Sequence, residues 1–283
     1  MDKRKVEENI FKGLMICSLL VILSSLVFIL AMVIVKGLPA MNLSMITKTP
    51  KGGYYLGKEG GVLNAILGSL YLAGGATFLS ILASLPVALY LNVYAKKGSR
   101  LSSFTRFSLD VLWGVPSIVY GAFGFTIMIA LGLKASLLGG IIAVSFLIFP
   151  IMSRAMDEVM RMVPEELLSA SYALGATRLE TALKVVVRQT LPGILTAVII
   201  AFGRGIGDAA SVIFTAGFTD YVPYSLTHPA ATLPLAVFFQ LGTSTPEVQE
   251  RAYASALILT IIILAVSLIS RILTRRFTKN IVK

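Results

Sequence analysis

Of the chain's 283 residues, 56% are hydrophobic and only 14% charged, and the mean hydropathy is +0.85; soluble domains carry about a quarter charged residues, so a soluble globular protein is excluded. The net charge of +11 does not signal nucleic-acid binding, because the basic residues cluster at the ends of apolar runs, as membrane orientation requires. Cys17 is the single cysteine, which excludes an intrachain disulfide and a cysteine-based metal cluster. His228, the single histidine, lies in a loop outside the apolar runs, which argues against an intramembrane Ser–His protease.

Six apolar runs read as transmembrane helices: residues 11–35, 62–94, 107–133, 136–153, 193–218 and 253–272. The first has a basic start, but its apolar run is too long for a signal-peptide core and is read as a retained helix. Between the first two runs, residues 52–58 match the spacing of a phosphate-binding P-loop as far as Lys58. Glu59 follows where that loop needs a hydroxyl for magnesium, so no nucleotide site is expected. The second run is long enough that it must tilt, kink at Pro86 or run partly along the interface. Near the start of the third, Asp110, Trp113 and Pro116 suggest interfacial anchoring and a bend. Two larger loops, residues 36–61 and 219–250, lie on the opposite side from the termini. Eighteen Lys and Arg fall on one side, in both terminal segments and two loops, and six on the other. That imbalance places both termini and residues 154–192 in the cytoplasm.

The polar stretch 157–192 holds a short helix of its own, residues 164–174. Pro164 suits its first position, Glu165 and Glu166 fall where the helix dipole favours negative charge, and Gly175 suits a left-handed C-cap. At about 16 Å it is too short and too polar to span a bilayer, and its size fits a docking element.

The fifth run carries Gly203-Arg204-Gly205-Ile206-Gly207-Asp208. Arg204 lies about 18 Å past Pro192 along a helix, where a charge costs at least roughly 2.5–3.5 kcal/mol. Arg204 and Asp208 at i,i+4 can neutralise each other. Equally, Arg204 can line an anion pathway with Asp208 holding it in place, since a planar guanidinium grips two oxygens of a tetrahedral oxyanion. Gly203 and Gly207 fit close approach of another helix or room for a solute. A lipid-modifying enzyme finds no acidic metal motif here, and a mere scaffold has no need of an arginine at that depth.

The loop 154–192 resembles that of the membrane subunits of type I ABC importers, whose coupling helix has the pattern E-A-A-x3-G. The pattern falls on Ser169-Ala170-Ser171 and Gly175, with serines for the glutamate and the last alanine. Arg188 stands where a proline is common, and Pro192-Gly193 keep the ending. Residues 60–95, 111–121 (VLWGVPSIVYG) and Leu233-Pro234-Leu235 look like the second permease subunit of phosphate-specific importers. Residues 204–216 (RGIGDAASVIFTA) are similar to that family's R-x2-G-E-T-A-P-L-L-F-T-A, with Asp208 for the glutamate and Ser211 for the proline.

The resemblance implies an all-α membrane protein of six transmembrane helices with the type I ABC importer permease fold and a cytoplasmic coupling helix. Residues 1–61 would form an N-terminal helix and loop, and 62–283 the core permease domain. It implies a non-catalytic subunit of the cytoplasmic membrane with no cofactor of its own. The expected partners are a second, related permease subunit in a heterodimer, two ATPase subunits and an extracytoplasmic phosphate-binding protein. Glu165, Glu166, Ser169, Ala170 and Gly175 would serve ATPase coupling, and Arg204 and Asp208 the substrate pathway. The implied cargo is inorganic phosphate; the alternative is another oxyanion, molybdate, tungstate or phosphonate.

Overall fold

The computed structural model describes residues 3–51, 59–96 and 98–277, so the P-loop-like stretch 52–58 lies outside the described residues. Helix α1 (Lys3–Gly37) opens with charged residues, is apolar on all sides from Leu14 to Val35, and is almost wholly exposed within the chain. Its main packing partner among the described residues is α12 (Pro246–Phe277), where Lys36 Nζ lies 5.1 Å from the centre of the Tyr253 ring. A short α2 (Leu43–Thr47) follows, capped by Asn42, whose Oδ1 accepts from the Met45 N–H at 2.8 Å. One antiparallel pair, β1 (Pro50–Lys51) with β2 (Glu59–Gly60), is the small departure from an all-α chain among the described residues.

Helix α3 (Leu63–Leu89) runs through Pro86 and continues as a π turn, Tyr90–Tyr94. Its buried side is a stripe of small and polar residues, among them Gly68, Ala73, Ala76, Ser80 and Ser84. Small side chains let helices approach closely where lipid offers no hydrophobic drive for association. Gly68 lies against the Ala231 backbone, and the rest of the stripe packs chiefly on α6 (Leu137–Arg161). Ser80 Oγ donates to Ser145 O at 3.0 Å, Ser84 Oγ to Phe149 O at 3.3 Å and Ser153 Oγ to Ser84 Oγ at 2.9 Å. Around these bonds Leu72, Val144, Ile148, Met152 and Met156 form the buried centre.

The third expected span is two helices. Helix α4 (Arg100–Gly114) and α5 (Ser117–Ala130) meet at 98°. Pro116 disfavours helical geometry at the residue before it, and Val115 is extended, with φ −71° and ψ 129°. The bend expected near Pro116 is thus a full break, and residues 107–114 belong to a helix that leaves the direction of α5. The fourth span reaches further than its apolar run. Ser136 caps α6 through the Gly139 N–H, and the helix continues past Ser153 to Arg161.

The docking segment forms α7 (Glu165–Ala173). After it, α8 (Arg178–Glu180) starts on a capping box between Thr177 and Glu180 and passes through a π turn, Thr181–Val186. This runs into α9 (Val187–Ile206) without a break at Pro192. The fifth span therefore begins earlier than residue 193 and ends earlier than 218. Residues 207–218 are a turn holding α10 (Val212–Thr215). Helix α11 (Leu233–Leu241), capped by Thr232, lies in the loop before α12. Counting the bent pair α4–α5 as one, six elements among the described residues are long and apolar enough to cross a membrane.

Candidate functional site

Helix α9 presents two different sides. Ala201 and Gly205 are buried against α6, and a Cβ at Gly205 would come within 3.1 Å of Val144 Cγ1. Gly203 and Gly207 instead leave open space within this chain: nothing lies within 4 Å of a Cβ built at Gly203. Within this chain the close helix approach is made by Gly205, two residues from each of that pair and on the opposite side of α9, so the Gly203/Gly207 side is left for a neighbour or a solute.

Arg204 shares the open side, with 44% of its side chain exposed, while Asp208 is 2% exposed. Arg204 Nη1 lies 3.2 Å from Asp208 Oδ1. The pair forms across the end of a helix and not along one, because α9 stops at Gly207. The other carboxylate oxygen, Oδ2, accepts from the Ser211 backbone N–H at 2.8 Å and from the Ser211 hydroxyl. An acid bonded to an N–H three residues on is the arrangement of a helix N-cap. Asp208 is thereby fixed before it meets Arg204. Residue order alone hides the part played by Ser211; the signal that could reveal it is a hydroxyl three residues after the acid, at the start of a new helical turn.

The segments that carried the resemblance converge on this turn. A Cβ on Gly121 of α5 would lie 2.8 Å from Ser211 Cα and from Ser211 O, so only glycine lets α5 touch the turn there. Tyr120, next to it, donates from its hydroxyl to Leu112 O at 2.8 Å and so bridges the α4–α5 break. Thr215 O accepts from Ser136 N at 2.9 Å. Just beyond it the Ala230 N–H donates to Ala216 O at 3.0 Å, and the Leu233 N–H donates to Ser69 Oγ at 2.8 Å, seating α11 on α3.

At the other end of the α8–α9 rod stands α7. Pro164 occupies the N-cap, with ψ 138°, and not the first helical position. Gly175 takes φ +82°, as a left-handed C-cap requires. Glu165, Glu166, Ser169 and Ala170 are exposed, as are the flanking Met162 (80%) and Leu174 (89%). Ser171 is buried instead, and its Oγ lies 2.9 Å from Thr181 Oγ1 on the π turn. The serine that departs from the coupling pattern thus ties α7 to the rod. Arg204 and Asp208 are brought together at one end of that rod, and the five coupling residues at the other.

A buried carboxylate escaped the sequence reading. Asp157, fully buried, accepts from Arg106 Nε at 2.8 Å (Oδ2) and Arg106 Nη2 at 2.9 Å (Oδ1), from Asn92 Nδ2 at 2.8 Å and from Arg154 Nη1 at 3.3 Å. Arg154 also reaches Asp110 at 3.0 Å and Glu158 at 3.5 Å. Asp110, expected to be an interfacial anchor, is part of this network. It clamps the π turn of α3, α4 and α6 beside α7. Removing one partner of such a buried pair costs about 3–5 kcal/mol, because the other charge stays behind unpaired.

Comparisons with known proteins bear on the family and the fold. The sequence-family model described as "Binding-protein-dependent transport system inner membrane component" matches residues 81–283. The phosphate transport system permease protein PstA 1 of Mycobacterium tuberculosis (strain CDC 1551 / Oshkosh) is 33% identical over 281 residues, spanning 97% of this chain and 92% of that one. The corresponding PstA of Yersinia pestis is 32% identical over 270 residues, 95% of this chain and 90% of that one. Among solved structures, the inward-facing MetNI methionine ABC transporter superposes with a TM-score of 0.62 at 18% identity, covering 76% of this chain and 95% of that chain. A bacterial alginate ABC transporter gives 0.57 at 16% identity, covering 78% and 81%. At these identities the structural likeness speaks for the fold, that of a type I ABC importer permease, and the family match speaks for descent. The chain belongs to the family of inner membrane components of binding-protein-dependent transport systems.

Proposed function

We propose that this chain is a permease subunit of an ATP-driven importer of inorganic phosphate, with Arg204 on the pathway and α7 as the helix that meets the ATPase. One observation carries the reading. Arg204 is 44% exposed beside Gly203, where nothing among the described residues lies within 4 Å of a Cβ, and it is steadied by an aspartate that Ser211 already holds. A second, related permease subunit facing that side would enclose the arginine in a shared pathway. There its guanidinium can grip two phosphate oxygens. The named relatives, phosphate permeases at about one-third identity, favour phosphate over molybdate, tungstate or phosphonate.

In this reading both termini and α7 face the cytoplasm, two ATPase subunits dock there, and a binding protein delivers phosphate outside. ATP-driven closure of the ATPases moves α7. The Ser171–Thr181 contact passes the movement to a helix that runs from residue 178 to 206, about 43 Å, with Arg204 near its end. Any helix shift at the cytoplasmic end is therefore felt at the pathway.

The test is ATP-dependent uptake of labelled phosphate into vesicles that hold this chain with its partner subunits and binding protein. Uptake resists excess molybdate, and Arg204→Ala abolishes it while the complex still assembles. Normal uptake by Arg204→Ala removes this residue from the pathway, and ATP hydrolysis without phosphate uptake by the parent chain removes phosphate as the cargo.

A further inference from the structure

Beside α7, a cleft of about 470 Å³ opens between the end of α3, the start of α4 and the end of α6. Three basic side chains line it, Lys96, Arg106 and Arg161, against one acidic residue, Glu165. Arg106 is held by Asp157, while Lys96 and Arg161 are exposed. The cleft is therefore cationic even after the internal pair is set aside.

Helix α4 begins at this cleft. Its N-cap residue, Ser99, makes no side-chain cap bond, so the positive end of the helix dipole and its first-turn N–H groups are left for an outside acceptor. Ser102, in that first turn, also lines the cleft. It is 3% exposed and its hydroxyl has no hydrogen-bond partner. A buried hydroxyl left unpaired is costly, and here it sits where a helix terminus and two exposed cations converge. Every group in that set is a donor. The ligand that suits such a set is all acceptor, negatively charged and three-dimensional. A tetrahedral phosphoryl group can turn oxygens at once to the helix terminus, to the serine and to the basic rim.

We propose that this cleft is a binding site for a phosphoryl oxyanion, either the headgroup phosphate of an anionic lipid or free inorganic phosphate. It is separate from the proposed pathway: Val186 lines the cleft, and Arg204 lies eighteen residues further on, about 27 Å along the helix. Glu165 and Leu168 of α7 line the same cleft, so an occupant touches the helix proposed to meet the ATPase. The site stands whether or not phosphate is the cargo.

The experiment uses the assembled transporter in nanodiscs, with Arg204→Ala in the parent so that binding at the pathway does not contribute. In the first arm, nanodiscs contain phosphatidylcholine only, and labelled inorganic phosphate is measured by equilibrium dialysis. In the second, they contain phosphatidylcholine and phosphatidylglycerol, and phosphatidylglycerol retained through delipidation is counted by mass spectrometry. The double variant Lys96→Ala/Arg161→Ala weakens binding about tenfold in at least one arm, the loss expected when charge-assisted bonds are removed. Ser102→Ala, which leaves the charge unchanged, weakens it in the same arm. Arg178→Ala, an exposed cation that does not line the cleft, leaves it unchanged. A response in the first arm assigns free phosphate, and one confined to the second assigns the lipid headgroup. Equal binding by parent, double variant and Ser102→Ala in both arms overturns the site, as does an equal loss with Arg178→Ala. Transport failure of Arg204→Ala is read separately, by uptake, so the two proposals fail independently.

Discussion

At the scale of single residues, the turn 208–211 shows a substitution that reshapes its own surroundings. An aspartate is one methylene shorter than the glutamate of the resembling motif, and Ser211 replaces a proline that could donate neither N–H nor hydroxyl. With both donors present, the shorter acid is held from behind while it reaches Arg204. Hydrogen bonds to charged groups are each worth about 1.5–3 kcal/mol. Ser211→Pro is therefore expected to cut phosphate uptake by roughly tenfold or more. Adding Asp208→Glu recovers much of it, because the longer acid reaches the arginine without the lost donors. Uptake assays on the single and double variants check this, and a double variant no better than Ser211→Pro alone would show that the two positions are not coupled.

At the scale of elements, the Ser171–Thr181 hydroxyl pair ties α7 to the transport rod, beside the packing of Leu168 against the core that holds Ala182 and Val186. The capping box at Thr177 and Glu180, with Lys184 Nζ 3.0 Å from Glu180 Oε1, stiffens the start of that rod. Ser171→Ala removes the contact to Thr181 at a cost of about 1 kcal/mol, too little to unfold the bundle. The expected result is a lower ratio of phosphate imported to ATP hydrolysed, with ATPase copurification kept. Uptake and hydrolysis measured on the same vesicles check it; an unchanged ratio would mean that α7 drives the rod through other contacts. Asp157 shows why such clamps escape a reading along the chain. Its partners Asn92 and Arg106 lie 65 and 51 residues away. The i,i+3 contact with Arg154 is the one that local spacing could suggest.

At the scale of the whole molecule, orientation can be tested from one face of α7. In a Cys17→Ser background, Ala173→Cys places a single thiol on an exposed position of that helix. A membrane-impermeant maleimide should label it in inverted vesicles and not in intact cells. Labelling in intact cells would place the coupling face outside and reverse the reading taken from Lys and Arg.

Hydropathy and charge order carry the membrane class, the six apolar runs and the short capped helix at 164–174, because those signals need only neighbours in sequence. A glycine after Leu174 was enough to anticipate φ +82° at Gly175. The same signals misplace the third and fifth spans. Apolar composition says that a segment tolerates lipid, not which way its helix points or where it stops. The right-angle break at Val115–Pro116 is held by Tyr120 reaching back to Leu112, and the end of α9 by Asp208 turning to Ser211. Which side of α9 packs and which stays open also depended on partners: Gly205 faces α6, while Gly203 and Arg204 face away. These features rest on contacts between segments that only the folded bundle brings together, where burying a polar group demands a partner wherever in the chain one can be found.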